Sequence, residues 1–347
     1  LPTPTRDGYT FVAWYMETSL TNKVTSSTVM NTASNHTLYA GWKANKYTLT
    51  LSGMEYKNGE VVYYNPVTNT KCNSSEAVST TGTKTGCMKW YAFNDDGGTK
   101  VKLLLDHNTT AKVAWRSSGN NTNGILEANT ALNNDISSWN SDVKASARLL
   151  TAYDIATITG YNNWNNISYY VHSNTTTEYR GAAGTNKYAW LFDNTINCTI
   201  FGCNTNDSST YGYWTTTPYS KDSYYAWYMS YFGQLSTAYI TTSGYYGVRP
   251  VIEIDRSVIG TTSVTKEVTY DSAYGQLATP KKAGYEFIGW YTTGGVKINT
   301  TDLYKVAGNQ TLYAQWKFAT YVISFDSTGG SEISTTKNVT YNGTYGE

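Results

Sequence analysis

The chain has 347 residues and a net charge of +1, too little to draw in a phosphate backbone from a distance, so nucleic acid is not expected as a partner. Its 33 Tyr and 11 Trp, set against 3 His and 15% charged residues, favour pleated, half-buried strands and make an unusual palette for an enzyme. The length calls for more than one core, and no apolar run nears the roughly 20 residues of a membrane-spanning helix, so no membrane insertion is expected.

The chain opens on LPTPTRDGYTFVAWYME rather than on a signal peptide, so targeting signals are expected elsewhere. Residues 1–17 continue to TLYAGWK, ending at Lys43, and the same frame returns as LATPKKAGYEFIGWYT at 277–292 with TLYAQWK ending at Lys317. The shared spacing predicts a tight turn at Gly8 and at Gly284. A strand should follow whose alternate aromatics, such as Phe11, enter a small core to which Leu38 and Trp42 return. KYTLTLSG at 46–53 and TYVISFDS at 320–327 both look like opening strands of a repeat, and VTYNGTYGE at 339–347 parallels VTYDSAYGQ at 268–276.

This frame resembles the internalin-type B repeat of bacterial surface proteins, a short β-grasp module strung in tandem on cell-wall-attached chains. The resemblance implies an extracellular, cell-surface location. Glu347 falls just before the position equivalent to Leu277, which itself corresponds to Leu1. Each end is therefore expected to carry half a repeat, and a neighbouring copy, covalent or separate, is expected to complete it.

Between the repeats lies an insert of about 200 residues with neighbouring ends. EVVYYNP, MKWYAFND and VKLLLD read as strands, the last two joined through DGGTK. Helices are expected from Ile125 and from Thr151, the latter opened by the pair Thr151 and Asp154. The run Asn94, Asp95, Asp96 reads as a hairpin turn before a cation site. Four cysteines permit three pairings. Cys72 with Cys87 and Cys198 with Cys203 close the shortest loops, and oxidised cysteines imply export.

The segments WTTTP, AWY and GVRP, with CMKWYAFND and ARLLTAYDIATITG before them, resemble bacterial C-type lectin-like domains of the formylglycine-generating-enzyme-like and retroelement variable-protein type. The resemblance implies two helices beside a small twisted sheet whose first and last strands pair. The fold class is thus expected to be mainly β with α+β, small β-grasp repeats plus an inserted C-type lectin-like domain. The domain limits are 1–45 for a half repeat, 46–255 for the insert, 256–317 for a repeat and 318–347 for a further half.

Tyr219, Lys221, Asp222, Tyr224, Tyr225, Tyr228, Tyr231 and Tyr245 crowd one region among Ser and Thr, the chemistry of antibody-like binding surfaces, and form the candidate face for a protein or glycan ligand. Trp214 and Trp227 are expected in the core. Calcium-dependent sugar motifs are absent. Asp106 and His107 are neighbours and, on a strand, would point to opposite faces, so they cannot act as a relay. No catalytic constellation, metal or cofactor is expected. The alternatives are a purely structural filament subunit and a divergent oxidase of the formylglycine-generating type working through Cys198 and Cys203.

Overall fold

The computed structural model describes residues 1–78, 84–160, 169–170, 188–192, 210–230, 233–331, 333 and 335–346, in two compact units, Leu1–Glu55 with Thr261–Glu347, and Tyr56–Gly260. In chain order the longer strands begin with β1 (Tyr9–Tyr15), β2 (Tyr39–Ala44), β3 (Lys46–Met54), β4 (Glu60–Asn65), β5 (Met88–Phe93) and β6 (Lys100–Leu105). Helices α1 (Glu127–Asp135), α2 (Ser141–Ser146) and α3 (Ala152–Thr159) follow. Then come β7 (Gly212–Pro218), β8 (Tyr225–Ser230), β9 (Gln234–Tyr239) and β10 (Pro250–Asp255). The chain re-enters the first unit with β11 (Thr262–Thr269), β12 (Tyr285–Tyr291), β13 (Gln310–Phe318), β14 (Thr320–Ser324) and β15 (Thr336–Thr340). The protein is mainly β, as its aromatic and Thr-rich strands require.

The heart of the first unit is a five-stranded sheet in the order β11, β3, β13, β12, Lys297–Ile298. β3 and β13 run parallel, Leu49 opposite Gln310 and Ser52 opposite Tyr313, and each has an antiparallel partner outside it. First and last strands side by side in the middle, each flanked by its hairpin mate, is the order of a β-grasp. Alternation sends Leu49 and Leu51 of β3 to one face, where they meet Leu312, Trp290, Tyr304, Tyr274, Leu277 and Val268.

Met54 and Thr262 are register partners at the end of the β3–β11 pair, so the chain leaves and re-enters this sheet at adjacent positions. The second unit is therefore inserted within a repeat hairpin. This moves both limits read from sequence: Lys46–Met54 belongs to the repeat, and the helical turn Arg256–Ile259 belongs to the insert. Strand β3 is held by a partner more than two hundred residues away, a pairing that spacing alone does not show.

The other two sheets of this unit repeat its parts. β1 and β2, with Lys23–Val24, copy β12, β13 and Lys297–Ile298, including the register Phe11 to Trp42 against Phe287 to Trp316 and the bulge that follows each phenylalanine. β14 and β15 copy β3 and β11, with Tyr321 opposite Val339 as Tyr47 is opposite Val268. The joints are also duplicated. Gly8 and Gly284 both take left-handed φ values, +77° and +80°, and a Cβ at either would run into a tyrosine ring, Tyr270 and Tyr341 respectively. Tyr270 donates its amide to the carbonyl of Asn45 and Tyr341 does the same to Ala319, so successive repeats meet in one manner.

The described residues of the second unit hold two sheets. One runs Thr70–Lys71, β4, β5, β6, β10, Arg148–Leu149; the other runs Tyr169–Tyr170, β9, β8, β7, Tyr246–Gly247. The expectation that the insert's first and last strands pair is corrected: β5 and β6 lie between β4 and β10. Its ends are instead tied by the Tyr56 hydroxyl, which donates to the carbonyl of Ile259 at 3.0 Å. The Asn94–Asp96 run is a turn in which Asp95 accepts from the amides of Tyr56 and Gly97 and pairs with Arg256, so its charge is spent on structure.

Thr151 caps α3 as the sequence indicated, its hydroxyl accepting from the Asp154 amide while Asp154 accepts from the Thr151 amide. The short α2, capped by Asn140, was not anticipated. Cys72 and Cys87 form a disulfide with Cα atoms 6.1 Å apart, whereas Cys198 and Cys203 lie outside the described residues.

Arg249 is the polar centre of this unit. It is fully buried, and its guanidinium donates to the carbonyls of Leu105, Asp106, Trp190 and Leu191 at 2.7 to 3.0 Å, joining the end of β6 to the helical turn Ala189–Phe192. A leucine there would leave four carbonyls unsatisfied in a dry interior. Arg249→Leu is expected to lower the unit's stability by about 3 kcal/mol; denaturant unfolding followed through the buried tryptophans reads this directly, and an unchanged midpoint contradicts it.

Candidate functional site

The candidate face is built on the β7–β8 hairpin and β9. Strand β8 contributes Tyr225 and Tyr228, and because their positions differ by three they project to opposite sides of the sheet. The crowd of tyrosines expected to form one surface is therefore divided. Tyr228 packs inward against the larger core with Trp214 and Tyr246, its ring centroid 4.1 Å from that of Tyr246. Tyr219 lies edge-on to the buried Trp227 at 5.4 Å and also belongs to a core. Trp214 and Trp227 are both buried.

What stays open is a group at the β7–β8 turn. Lys221, Asp222 and Tyr224 are exposed there, and Tyr225 sits against Tyr239 across the β8–β9 register with ring centroids 4.3 Å apart. Tyr239 is exposed as well. Tyr245 stacks on Tyr211 at 5.1 Å in a second exposed pair beside the parallel bridge of β7 to Tyr246–Gly247. Neither Tyr211 nor Tyr239 was singled out from sequence, since only the strand register shows that each faces a chosen tyrosine. Tyr231 lies outside the described residues.

A buried asparagine fixes the open turn. Asn121 donates its side-chain amide to the carbonyls of Tyr219, Asp222 and Tyr225 at 2.7 to 2.9 Å, and its backbone amide donates to the carbonyl of Ser223. Asp222 in turn accepts from the Tyr224 amide at 2.9 Å. The turn is thus held from the 3-10 segment Asn121–Asn123, so its aromatic and charged side chains are displayed on an ordered backbone. Nothing in an Asn-rich stretch marks Asn121 before folding brings it under the turn.

Strand β6 ends at Leu105, so Asp106 and His107 do not follow strand alternation: both are buried, and His107 Nδ1 lies 3.9 Å from Asp106 Oδ2, beyond hydrogen-bond reach. This corrects the opposite-face argument. The Asp106 carboxylate accepts from the Tyr91 hydroxyl at 2.7 Å and pairs with Lys89 at 3.3 Å. Among the described residues no cluster of His, Cys, Asp or Glu could hold a metal ion. Two asparagines in Asn-X-Thr sequences are engaged by the fold: Asn108 is fully buried and donates to the carbonyl of Gly212, while Asn309 accepts from the Thr48 amide.

Residues 1–41 and 257–315 match the Listeria-Bacteroides repeat domain, a bacterial surface repeat family. Over 72 residues the chain is 38% identical to a protein of Evansella cellulosilytica named "Putative Gly-rich membrane protein", and over 72 residues it is 33% identical to another from the same organism named "Putative membrane protein". Each alignment covers 20% of this chain, and 8% and 10% of the respective relatives, so the chain spans a small part of those proteins' length. No solved structure matches the chain. Among the described residues no helix is long and apolar enough to cross a membrane.

The Tyr225–Tyr239 pair carries its own signature. A hydrogen bond with Tyr239, helped by burial, pushes the Tyr225 hydroxyl from the ordinary value of 10 up to about 12. The shift is upward, so Tyr225 holds its proton through the range in which free tyrosine ionises. In Tyr239→Phe the Tyr225 ionisation is expected to fall back toward 10, read by alkaline spectrophotometric or NMR titration. An unmoved Tyr225 would show that the pair is not bonded.

Proposed function

We propose that this chain is part of an extracellular bacterial surface protein in which β-grasp repeats carry a lectin-type head, and that the open Tyr224, Tyr225, Tyr239, Lys221 and Asp222 group binds a protein or glycan ligand. The observation that carries the proposal is an exposed aromatic and charged turn held rigid by a buried residue, Asn121. Tyrosine offers wide contact area with little rotamer entropy to lose, and a neighbouring Lys and Asp add directional polar contacts. The repeat-family match supports the surface location, and the helices α1 and α3, which the lectin-type resemblance calls for, support that reading of the head although its first and last strands do not pair.

A binding role also fits what the interior polar groups do. Arg249 is consumed by four carbonyls, Asp95 by Arg256 and backbone amides, and Asp106 by Tyr91 and Lys89. These are framework contacts, and the reading is of a non-catalytic display module that needs no cofactor.

The test is a glycan and protein array probed with the full chain. Binding is expected, and replacing Tyr224, Tyr225 and Tyr239 together by serine is expected to weaken it at least ~30-fold, the loss typical of removing a hot spot. Tyr153→Ser, on the exposed side of α3, serves as the control that leaves binding intact. A silent array, or a triple variant that binds like the parent, contradicts the proposal.

A further inference from the structure

Tyrosines of the second unit are set in facing pairs. Tyr225 of β8 and Tyr239 of β9 are register partners, and their ring centroids lie 4.3 Å apart. Tyr211 donates its amide to the carbonyl of Tyr245, and the two rings stack at 5.1 Å, 20° from parallel. The backbone fixes each approach, since residues directly opposite on antiparallel strands hold their Cβ atoms about 5 Å apart. Tyr211, Tyr239 and Tyr245 are exposed and Tyr225 is half-buried, so reagents in solvent reach both pairs. A third pair, Tyr228 and Tyr246, is closer still at 4.1 Å, but it packs into the larger core, where Tyr246 is buried.

We propose that Tyr225–Tyr239 and Tyr211–Tyr245 are sites of oxidative cross-linking, at which a haem peroxidase supplied with hydrogen peroxide joins each pair as dityrosine. Each phenol gives up one electron and its hydroxyl proton, leaving a phenoxyl radical with unpaired spin on the ring carbons next to the C–O bond. Two such carbons, one from each ring, form a single C–C bond. The hydrogen displaced from each carbon returns through solvent to the oxygen of its ring, which restores both phenols. One hydrogen peroxide takes up the two electrons and two protons and leaves as two waters, so the protein loses two hydrogen atoms per link.

Position selects the partner. A radical on either ring of an exposed pair already has a second phenol in contact, whereas coupling between chains must wait for a collision. The hydrogen bond between Tyr225 and Tyr239 also gives a departing proton an acceptor at the site. The core pair has no such outlet: burial holds the Tyr246 proton far above the ordinary tyrosine range, and an oxidised phenol that cannot release its proton is a poor product. Joining Tyr225 to Tyr239 would tie β8 to β9 covalently, as the Cys72–Cys87 disulfide ties its own loop, and both bonds belong to an oxidising compartment. Neither link requires that the neighbouring turn bind a ligand.

The experiment is oxidation of the full chain in dilute solution by a haem peroxidase and limiting hydrogen peroxide. Products are sized on a denaturing gel and their links mapped by tandem mass spectrometry after proteolysis. The chain is expected to remain a monomer on the gel, to gain dityrosine fluorescence, and to carry links at Tyr225–Tyr239 and Tyr211–Tyr245 but not at Tyr228–Tyr246. Tyr239→Phe is expected to abolish the first link and keep the second, and Tyr245→Phe to do the reverse. Both rings are exposed and phenylalanine preserves them, so the fold should survive, which unchanged near-ultraviolet circular dichroism verifies. Oxidising the chain in denaturant is expected to scatter the links over other tyrosines. Absence of dityrosine, coupling between chains that leaves both pairs unlinked, or one link pattern for folded and unfolded chain overturns the proposal.

Discussion

The parallel pairing of β3 with β13 is the contact on which the first unit depends. It sets Leu49 and Leu51 against Leu312 and Trp290, and without it neither the β3–β11 hairpin nor the β12–β13 hairpin has a partner for its apolar face. Two-stranded hairpins are marginal in water by themselves, and three or more strands with a buried face are needed for independent stability. On its other side β3 pairs antiparallel with β11, Met54 opposite Thr262, so the same sheet fixes the two points between which the second unit is inserted.

The head solves a different problem, that of ordering a large aromatic interior whose strands are short. Trp90, Trp115, Trp214 and Trp227 are each buried, and three of them spend the indole N–H on a carbonyl, Trp90 on Tyr64, Trp115 on Thr215 and Trp214 on Val113. Arg249 does for the loops what these indoles do for the strands. Asn121 is the surface version of the same device, a short polar side chain placed under a turn to gather three carbonyls. The ordered backbone of the Tyr224–Tyr225 turn follows from such interior bonds.

Much of the repeat was legible before any coordinates because its signals are local. Gly8 and Gly284, the Phe-to-Trp spacing and the returning TLYA strand all sit within some forty residues, where turn geometry and alternation dictate the outcome. The strands β4, β5 and β6 and the cap at Thr151 were readable for the same reason. What the sequence hid was long-range. The limit at Lys46 was misplaced because β3 answers to β11 across the whole head, and the insert's first and last strands were expected side by side although β5 and β6 separate them. The single tyrosine face failed on register: Tyr225 and Tyr228 part by alternation, while Tyr211 and Tyr239 join by cross-strand contact. Asp106 escaped the strand rule because β6 stops one residue earlier.

Amide hydrogen exchange in the parent chain offers the most direct view of whether hairpin pairing is what completes these sheets. The amides of Gln310–Tyr313 lie beside β3 in the parallel pair. Protection at 310–313 should be high in the parent chain and should fall in Leu51→Asp, which removes the β3 side chain from the core it shares with Leu312. Protection at 310–313 that Leu51→Asp leaves unchanged contradicts the account.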